Sequence, residues 1–155
     1  MTLRPNGYMP RLIDDELPLM LKSFGAVSIE GPRWCGKTWT AENHANSETK
    51  IASMEGPVPV RDIVRNDPRI ALEGEKPHLI DEWQEIPLLW DTVRNAVDET
   101  RDKGQFILTG SSIPRRGEYI HSGTGRIGKI RMRTMTLLES GDSDGTVSLR
   151  ELFEG

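Results

Sequence analysis

The sequence has one cysteine, Cys35, so no intrachain disulfide can form and no paired-cysteine zinc site can be built. Long apolar runs are missing as well. No stretch approaches the ~18 residues of a membrane-spanning helix, and Met1 to Pro10 carries Arg4 but lacks the apolar segment of a signal peptide. A reducing, cytoplasmic setting is the expectation. Positive charge is in short supply: 20 Lys and Arg stand against 24 Asp and Glu, giving a net charge of −4 and a pI near 5.4. General duplex binding needs a cationic surplus to neutralise phosphates, so the charge does not support nucleic acid as a partner. There is no internal repeat and no low-complexity tract. What is present is the balance of a polar globular chain, 35% hydrophobic and 28% charged, and 155 residues suit one domain with a buried core.

Along the chain, Asp14, Asp15 and Glu16 suit the opening turn of a helix that Gly25 ends. Ala26 to Glu30 reads as a short buried strand, entering a glycine-containing loop and then a helix from about Gly36 to Ala45. Lys50 to Met54 is a second candidate strand, and Asp62 to Asn66 a short helical piece. His78 to Asp81 is an apolar run leading into acidic residues. Pro87 suits a first helical turn, ahead of Leu88, Leu89, Val93 and Val97, with the helix running to about Arg101 and Gly104 marking its end. Gln105 to Thr109 supplies a further strand. Lys129 to Met135 places Ile130, Met132 and Thr134 on one face and Arg131 and Arg133 on the other, as suits an edge strand. Ser148 and Glu151 have capping-box spacing, and so few residues remain for the helix they open that a longer parent chain is expected.

Chemistry concentrates in three places. The segment Gly31-Pro32-Arg33-Trp34-Cys35-Gly36-Lys37-Thr38, followed by Trp39, matches the phosphate-loop pattern at every specified position and lies between a predicted strand and helix. At ordinary glycine usage a chance match in a chain this long is on the order of one in a few hundred. Glycines let successive N–H groups converge on phosphate oxygens at the positive end of the following helix. Lys37 is placed to reach the outer phosphates, and Thr38 to give its hydroxyl to Mg²⁺. Second, His78-Leu79-Ile80-Asp81-Glu82 resembles a Walker B element: Asp81 would hold the cation or its water, and Glu82 would orient and deprotonate the attacking water. Third, the strand ending Thr109-Gly110-Ser111 closes on hydroxyl residues, of which Thr109 is the first candidate for sensing the terminal phosphate and Ser111 the second.

Arg126, in Gly123-Thr124-Gly125-Arg126, is a candidate arginine finger acting in cis or from a neighbour, in competition with Arg115 and Arg116. A protein partner or self-association through Arg126 is the corresponding partner expectation. Trp83 and Trp90 read as packing residues, and His44, His78 and His121 share no ligand spacing.

Taken together, Gly31 to Thr38, the string Leu79-Ile80-Asp81-Glu82-Trp83-Gln84-Glu85-Ile86-Pro87, and Leu108-Thr109-Gly110-Ser111-Ser112 resemble a prokaryotic family of AAA-type ATPases whose ATPase domain precedes a second, C-terminal domain. The Gly125-Arg126 pair recurs in that family, and the resemblance spans roughly Arg11 to Phe153. It implies a three-layer α/β P-loop NTPase fold. The sheet would be mostly parallel and five-stranded, with an extra strand between the P-loop and Walker B strands. It also implies ATP as ligand. Two departures stand out: Thr134 occupies a position where the family usually has proline, and the helical lid and C-terminal domain are expected to be missing from this stretch of sequence. The isolated core is therefore expected to bind nucleotide weakly and turn it over slowly. The leading expectation is an ATP-hydrolysing switch or motor core. Its competitors are a nucleotide-gated module that binds a protein or nucleic acid with little turnover, and a kinase, for which no acceptor site is recognisable.

Overall fold

A computed structural model of the chain describes residues 3–110 and 122–154. Ser111, Ser112, Arg115, Arg116 and His121, named above, lie outside them. The first helix, α1 (Ile13–Ser23), carries three acidic residues in its first turn and buries Ile13, Leu17 and Leu21 as one stripe at fourfold spacing. It leads into β1 (Ala26–Glu30), α2 (Lys37–His44), β2 (Ser47–Lys50) and α3 (Val60–Asn66). After a 3₁₀ turn at Pro68–Leu72 come β3 (His78–Asp81), a second 3₁₀ turn at Trp83–Glu85, and α4 (Leu88–Thr100). The chain continues through β4 (Phe106–Gly110), β5 (Ile127–Arg131), α5 (Leu137–Ser140) and α6 (Leu149–Glu154).

The five strands form one sheet in the order β2-β3-β4-β1-β5, and every pairing is parallel. Here β4 is the extra strand, inserted between β1 and β3. Alternation along the strands divides the core between two faces. Val27, Ile29, Leu79, Ile107 and Ile130 pack with Leu17 and Leu21 of α1 and Ala41 of α2. Ala26, Ile80, Phe106 and Leu108 pack on the other face with Leu89, Trp90, Val93 and Val97 of α4. Helices therefore cover both faces, giving the expected three layers. Trp83 and Trp90 are buried against each other with ring centroids 4.9 Å apart, in the packing role expected of them. Among the described residues no helix is long and apolar enough to cross a membrane.

Two boundaries differ from expectation. The second strand is Ser47–Lys50 rather than Lys50 to Met54, because an edge strand can be built from half-exposed polar residues that carry no apolar signal. Ile51 is buried in the turn just beyond it. The last strand is Ile127–Arg131 rather than Lys129 to Met135, although it does lie at a sheet edge with Lys129 and Arg131 outward. Helix α4 runs as far as expected: its last residue is Thr100, and Arg101 caps it in the left-handed region at φ 60. Thr136 and Glu139 form a reciprocal capping box that starts α5, a signal the sequence reading passed over.

Candidate functional site

The parallel register brings the strand ends together. Lys50 pairs with Asp81, Asp81 with Thr109, and Thr109 with Ile29, so these residues form one row at the carboxyl edge of the sheet. In-register neighbours share a face, and this face is the one covered by α1 and α2. The loop from Gly31 leads over that edge into α2, whose N-terminus starts at Lys37. Gly36 caps the helix at φ 95, a conformation open to glycine and resisted by other residues. Trp34 takes a positive φ of 67 and is 95% exposed, whereas Cys35 is buried beneath the loop. Burial agrees with an unreactive packing role for that thiol.

Lys37 is buried, and its ammonium donates to the carbonyl oxygens of Gly31 (3.0 Å) and Pro32 (2.7 Å) inside the curve of its own loop. Thr38 Oγ1 donates to Asp81 Oδ1 at 3.0 Å, joining α2 to the end of β3. The same carboxylate oxygen accepts the Thr109 hydroxyl. Burial pushes the Asp81 pKa above the ordinary carboxylate value, opposed by the donors Thr109 and Thr38. A hydroxyl and a carboxylate side by side are hard oxygen donors of the kind Mg²⁺ takes, and that ion draws most of its remaining ligands from water and phosphate. Among the described residues there is no cluster of three His, Cys, Asp or Glu side chains suited to a metal held wholly by protein.

Glu82 follows the strand in the left-handed region, at φ 59. This is uncommon for a residue with a side chain, and it turns Glu82 away from the direction of Asp81. The Gln84 amide, two residues on, donates to the Glu82 carboxylate, and Gln84 Oε1 is buried without a hydrogen-bond partner. Gly110 makes room for it, since a Cβ there would overlap that oxygen. A cleft of about 570 Å³ opens beside these groups, lined by Arg33, Trp34, Gly36, Lys37, Thr38, Trp39, Glu42, Lys50 and Glu82. Lys50, read only as the start of a strand and not as a site residue, bonds Glu42 (2.8 Å) and Glu48 (3.1 Å); the hydrogen bond to Glu42 is the main influence raising its pKa.

The structure therefore brings Lys37, Thr38, Asp81, Glu82 and Thr109 to one edge of the sheet. It does not bring Arg126 there. Arg126 immediately precedes β5, and its carbonyl accepts the N–H of Ala26 at the start of β1. That is the opposite edge, roughly 16 Å away at ~3.3 Å per residue. Arg126 is instead paired with Asp98 of α4 at 2.7 Å. The expectation that it acts on a phosphoryl group within its own chain is thereby corrected.

The residues missed were those reached only through the fold. Tyr8 donates to Asp14 (2.8 Å), its hydroxyl meets that of Thr40 at 3.1 Å, and His44 meets the same Asp14 at 2.7 Å, fastening the segment before α1 to α2. Arg11 donates to the Cys35 carbonyl inside the loop at 2.7 Å. No local pattern marks these pairs. Gln84 is the exception, lying two positions after Glu82 in a string already singled out.

An all-parallel sheet with an inserted strand, a glycine-bounded loop entering a helix, and acidic residues ending the third strand define a P-loop NTPase fold of the AAA type. Residues 23–140 match the AAA domain, and the chain belongs to that family. The match starts later and ends earlier than the resemblance drawn from the motifs. No curated protein matches the chain by sequence. Among solved structures, a RuvB variant from Thermotoga maritima is 20% identical, with a TM-score of 0.49 over 92% of this chain and 52% of that one. The chain thus spans about half the length of that structure, and a likeness at this level says nothing of function.

Proposed function

We propose that the chain binds ATP with Mg²⁺ in the cleft beside Lys37 and hydrolyses it. The observation that carries this reading is the meeting of Thr38 and Asp81 at 3.0 Å, across 43 positions of sequence, beside a loop that curls around Lys37. Phosphate oxygens would replace the Gly31 and Pro32 carbonyls as partners of the Lys37 ammonium, and the loop amides of Gly31 to Thr38 would supply the remaining donors at the start of α2. Thr38 and Asp81 would hold the cation, whose contribution when bound is to offset charge on the phosphates. Glu82, turned away from Asp81 by its backbone, would accept the proton of the attacking water. Thr109 would act first through Asp81, the group it bonds. A role for Arg126 at a phosphoryl group is retained only for the cleft of a neighbouring copy.

The test is Glu82→Gln in the full chain. Saturable Mg·ATP binding is expected to persist while phosphate release is lost. Release at the parent rate would refute the assignment of Glu82. A second reading, in which nucleotide gates an interaction with little turnover, is favoured by one contact: the Gln84 amide engages the carboxylate that hydrolysis would use. Lys37→Ala abolishing partner binding, in a parent that releases no phosphate, would select it. That this core precedes a C-terminal domain in a longer protein belongs to the same proposal and rests on the motif strings alone.

A further inference from the structure

Arg11 lies before α1, outside residues 23–140 that match the AAA domain, yet its side chain is buried. Each of its guanidinium nitrogens has an acceptor. Nη1 donates to the Cys35 carbonyl (2.7 Å), Nη2 to the Arg133 carbonyl (3.0 Å) and Nε to Glu139 Oε1 (3.0 Å). Glu139 is held as firmly from its own side. Its Oε1 also accepts the Leu12 N–H at 2.8 Å, and its Oε2 takes the Thr136 N–H at 2.7 Å and the Thr136 hydroxyl at 2.9 Å. Burial works against the Glu139 charge, but the backbone donors of Thr136 and Leu12, with the Thr136 hydroxyl and Arg11, outweigh it and hold its pKa down to about 2.

A buried ion pair of this kind adds little net stability over apolar residues of the same size, because both charges lose their hydration. What Arg11 supplies is a directed donor at one carbonyl of the phosphate loop. The loop's own backbone leaves that carbonyl free to turn, since it is followed by Gly36 at φ 95 and preceded by Trp34 at φ 67. The guanidinium lies against this glycine: a Cβ at Gly36 would sit 3.1 Å from Arg11 Nη1. Among the described residues the one cis peptide is Lys76-Pro77, so the peptide between Cys35 and Gly36 is trans. With the Cys35 carbonyl aimed at Arg11, the planar peptide sends the Gly36 N–H the opposite way.

We propose that Arg11 is a positioning residue for phosphate: anchored by Glu139, it fixes the Cys35–Gly36 peptide so that the Gly36 N–H faces the bound nucleotide. The proposal rests on the reading of this loop as the ATP site. It assigns a part in nucleotide binding to two residues 128 positions apart, neither of which touches the cleft. Lysine cannot replace the arginine, because one ammonium lacks the planar fork that serves three acceptors at once.

The test titrates the full chain with Mg·ATP at a temperature where circular dichroism shows every variant folded. The variants are Arg11→Lys, Glu139→Gln, Lys37→Ala and Arg69→Ala, the last removing an exposed arginine–carboxylate pair with Glu99 of α4, outside the cleft. Arg11→Lys and Glu139→Gln are expected to weaken binding roughly tenfold, the loss that misaiming one donor to a charged ligand brings. Arg69→Ala should bind as the parent does. A purely structural strut would lower the melting temperature of the Arg11 and Glu139 variants and leave the affinity of the folded protein unchanged. That result, with Lys37→Ala abolishing binding, overturns the proposal and leaves the ATP site standing. If Lys37→Ala and the parent bind alike, the ATP site falls and the proposal with it. Where Arg11→Lys fails to fold, the affinity of Glu139→Gln decides.

Discussion

Thr109→Val removes one hydroxyl from a buried carboxylate and tests how the centre of the site is held. Asp81 Oδ1 accepts two hydroxyls, from Thr109 and from Thr38. Burial is the largest influence on Asp81 and raises its pKa, with Thr109 the first of the groups opposing it and Thr38 the second. A hydrogen bond to a charged group contributes about 1.5–3 kcal/mol, so valine should cost about 2 kcal/mol near neutral pH. With a urea slope of roughly 2 kcal/mol per molar for a domain of this size, the midpoint should fall by about 1 M. The pH dependence supplies the stricter check. Because the folded pKa of Asp81 lies above its unfolded value, the native state takes up the proton first as pH falls, and the cost of the buried charge disappears through the folded pKa. The donor matters while Asp81 is charged, so the penalty of Thr109→Val should shrink as pH drops through that value. Urea unfolding followed by the fluorescence of Trp83 and Trp90, at neutral pH and at a series of lower values, measures it. A penalty that is negligible, or that keeps its size at every pH, would refute the account.

Three further outcomes are expected. His78 is buried, bonded to Ser47, Thr49 and the Ala71 carbonyl, and its pKa is pushed down to about 4 by burial and then by Lys76. Between the ordinary value near 6.5 and about 4 the unfolded chain binds a proton that the native state does not. Stability should therefore fall by about 3 kcal/mol as pH drops through that window, and a flat difference between parent and His78→Gln would contradict it. Gly31→Ala places a methyl on the Met132 carbonyl oxygen, in a residue whose N–H is fixed to Glu30 at 2.7 Å. The backbone cannot yield, so thermal unfolding should show a loss of about 1–3 kcal/mol, and an unchanged melt would count against the close approach. Gln84→Leu removes the amide that donates to the Glu82 carboxylate, the group proposed to take the proton. Phosphate release should rise roughly fivefold, the equivalent of about 1 kcal/mol, at unchanged Mg·ATP affinity; a fall in release would give Gln84 the opposite role, that of holding Glu82 in place.

What could be read from the sequence was local. The strands β1, β3 and β4 are apolar runs of four or five residues that end in the groups they present, so element and function share one string. The loop at Gly31 to Thr38 was legible because its glycines and its lysine are all required within eight positions. Trp83 and Trp90 fell to packing on their spacing alone. β2 was misplaced because Ser47–Lys50 is polar and half exposed, and its strand character comes from pairing with β3. The Arg11–Glu139 pair was out of reach, since a buried arginine and its carboxylate 128 positions away leave no periodicity to find. Thr109 was read as reaching toward a phosphate. The register shows that its nearest task is to hold Asp81.

The misplacement of Arg126 follows from topology. In a sheet whose strands all run the same way, residues just after a strand gather at one edge and residues just before a strand gather at the other. Asp81, Glu82, Thr109 and the loop at Gly31 all end or follow strands, so their convergence is a consequence of parallel pairing. Arg126 precedes β5, and no motif around it can move it to the other edge while Ala26 pairs with Ile127. Its turn is fastened there: a Cβ at Gly123 would collide with the Trp90 ring, and Arg126 bonds Asp98 on the same helix. The Gly123–Arg126 segment is thus a clamp between α4 and β5, and an arginine at this position can meet a phosphate only if a second molecule presents its cleft to this edge.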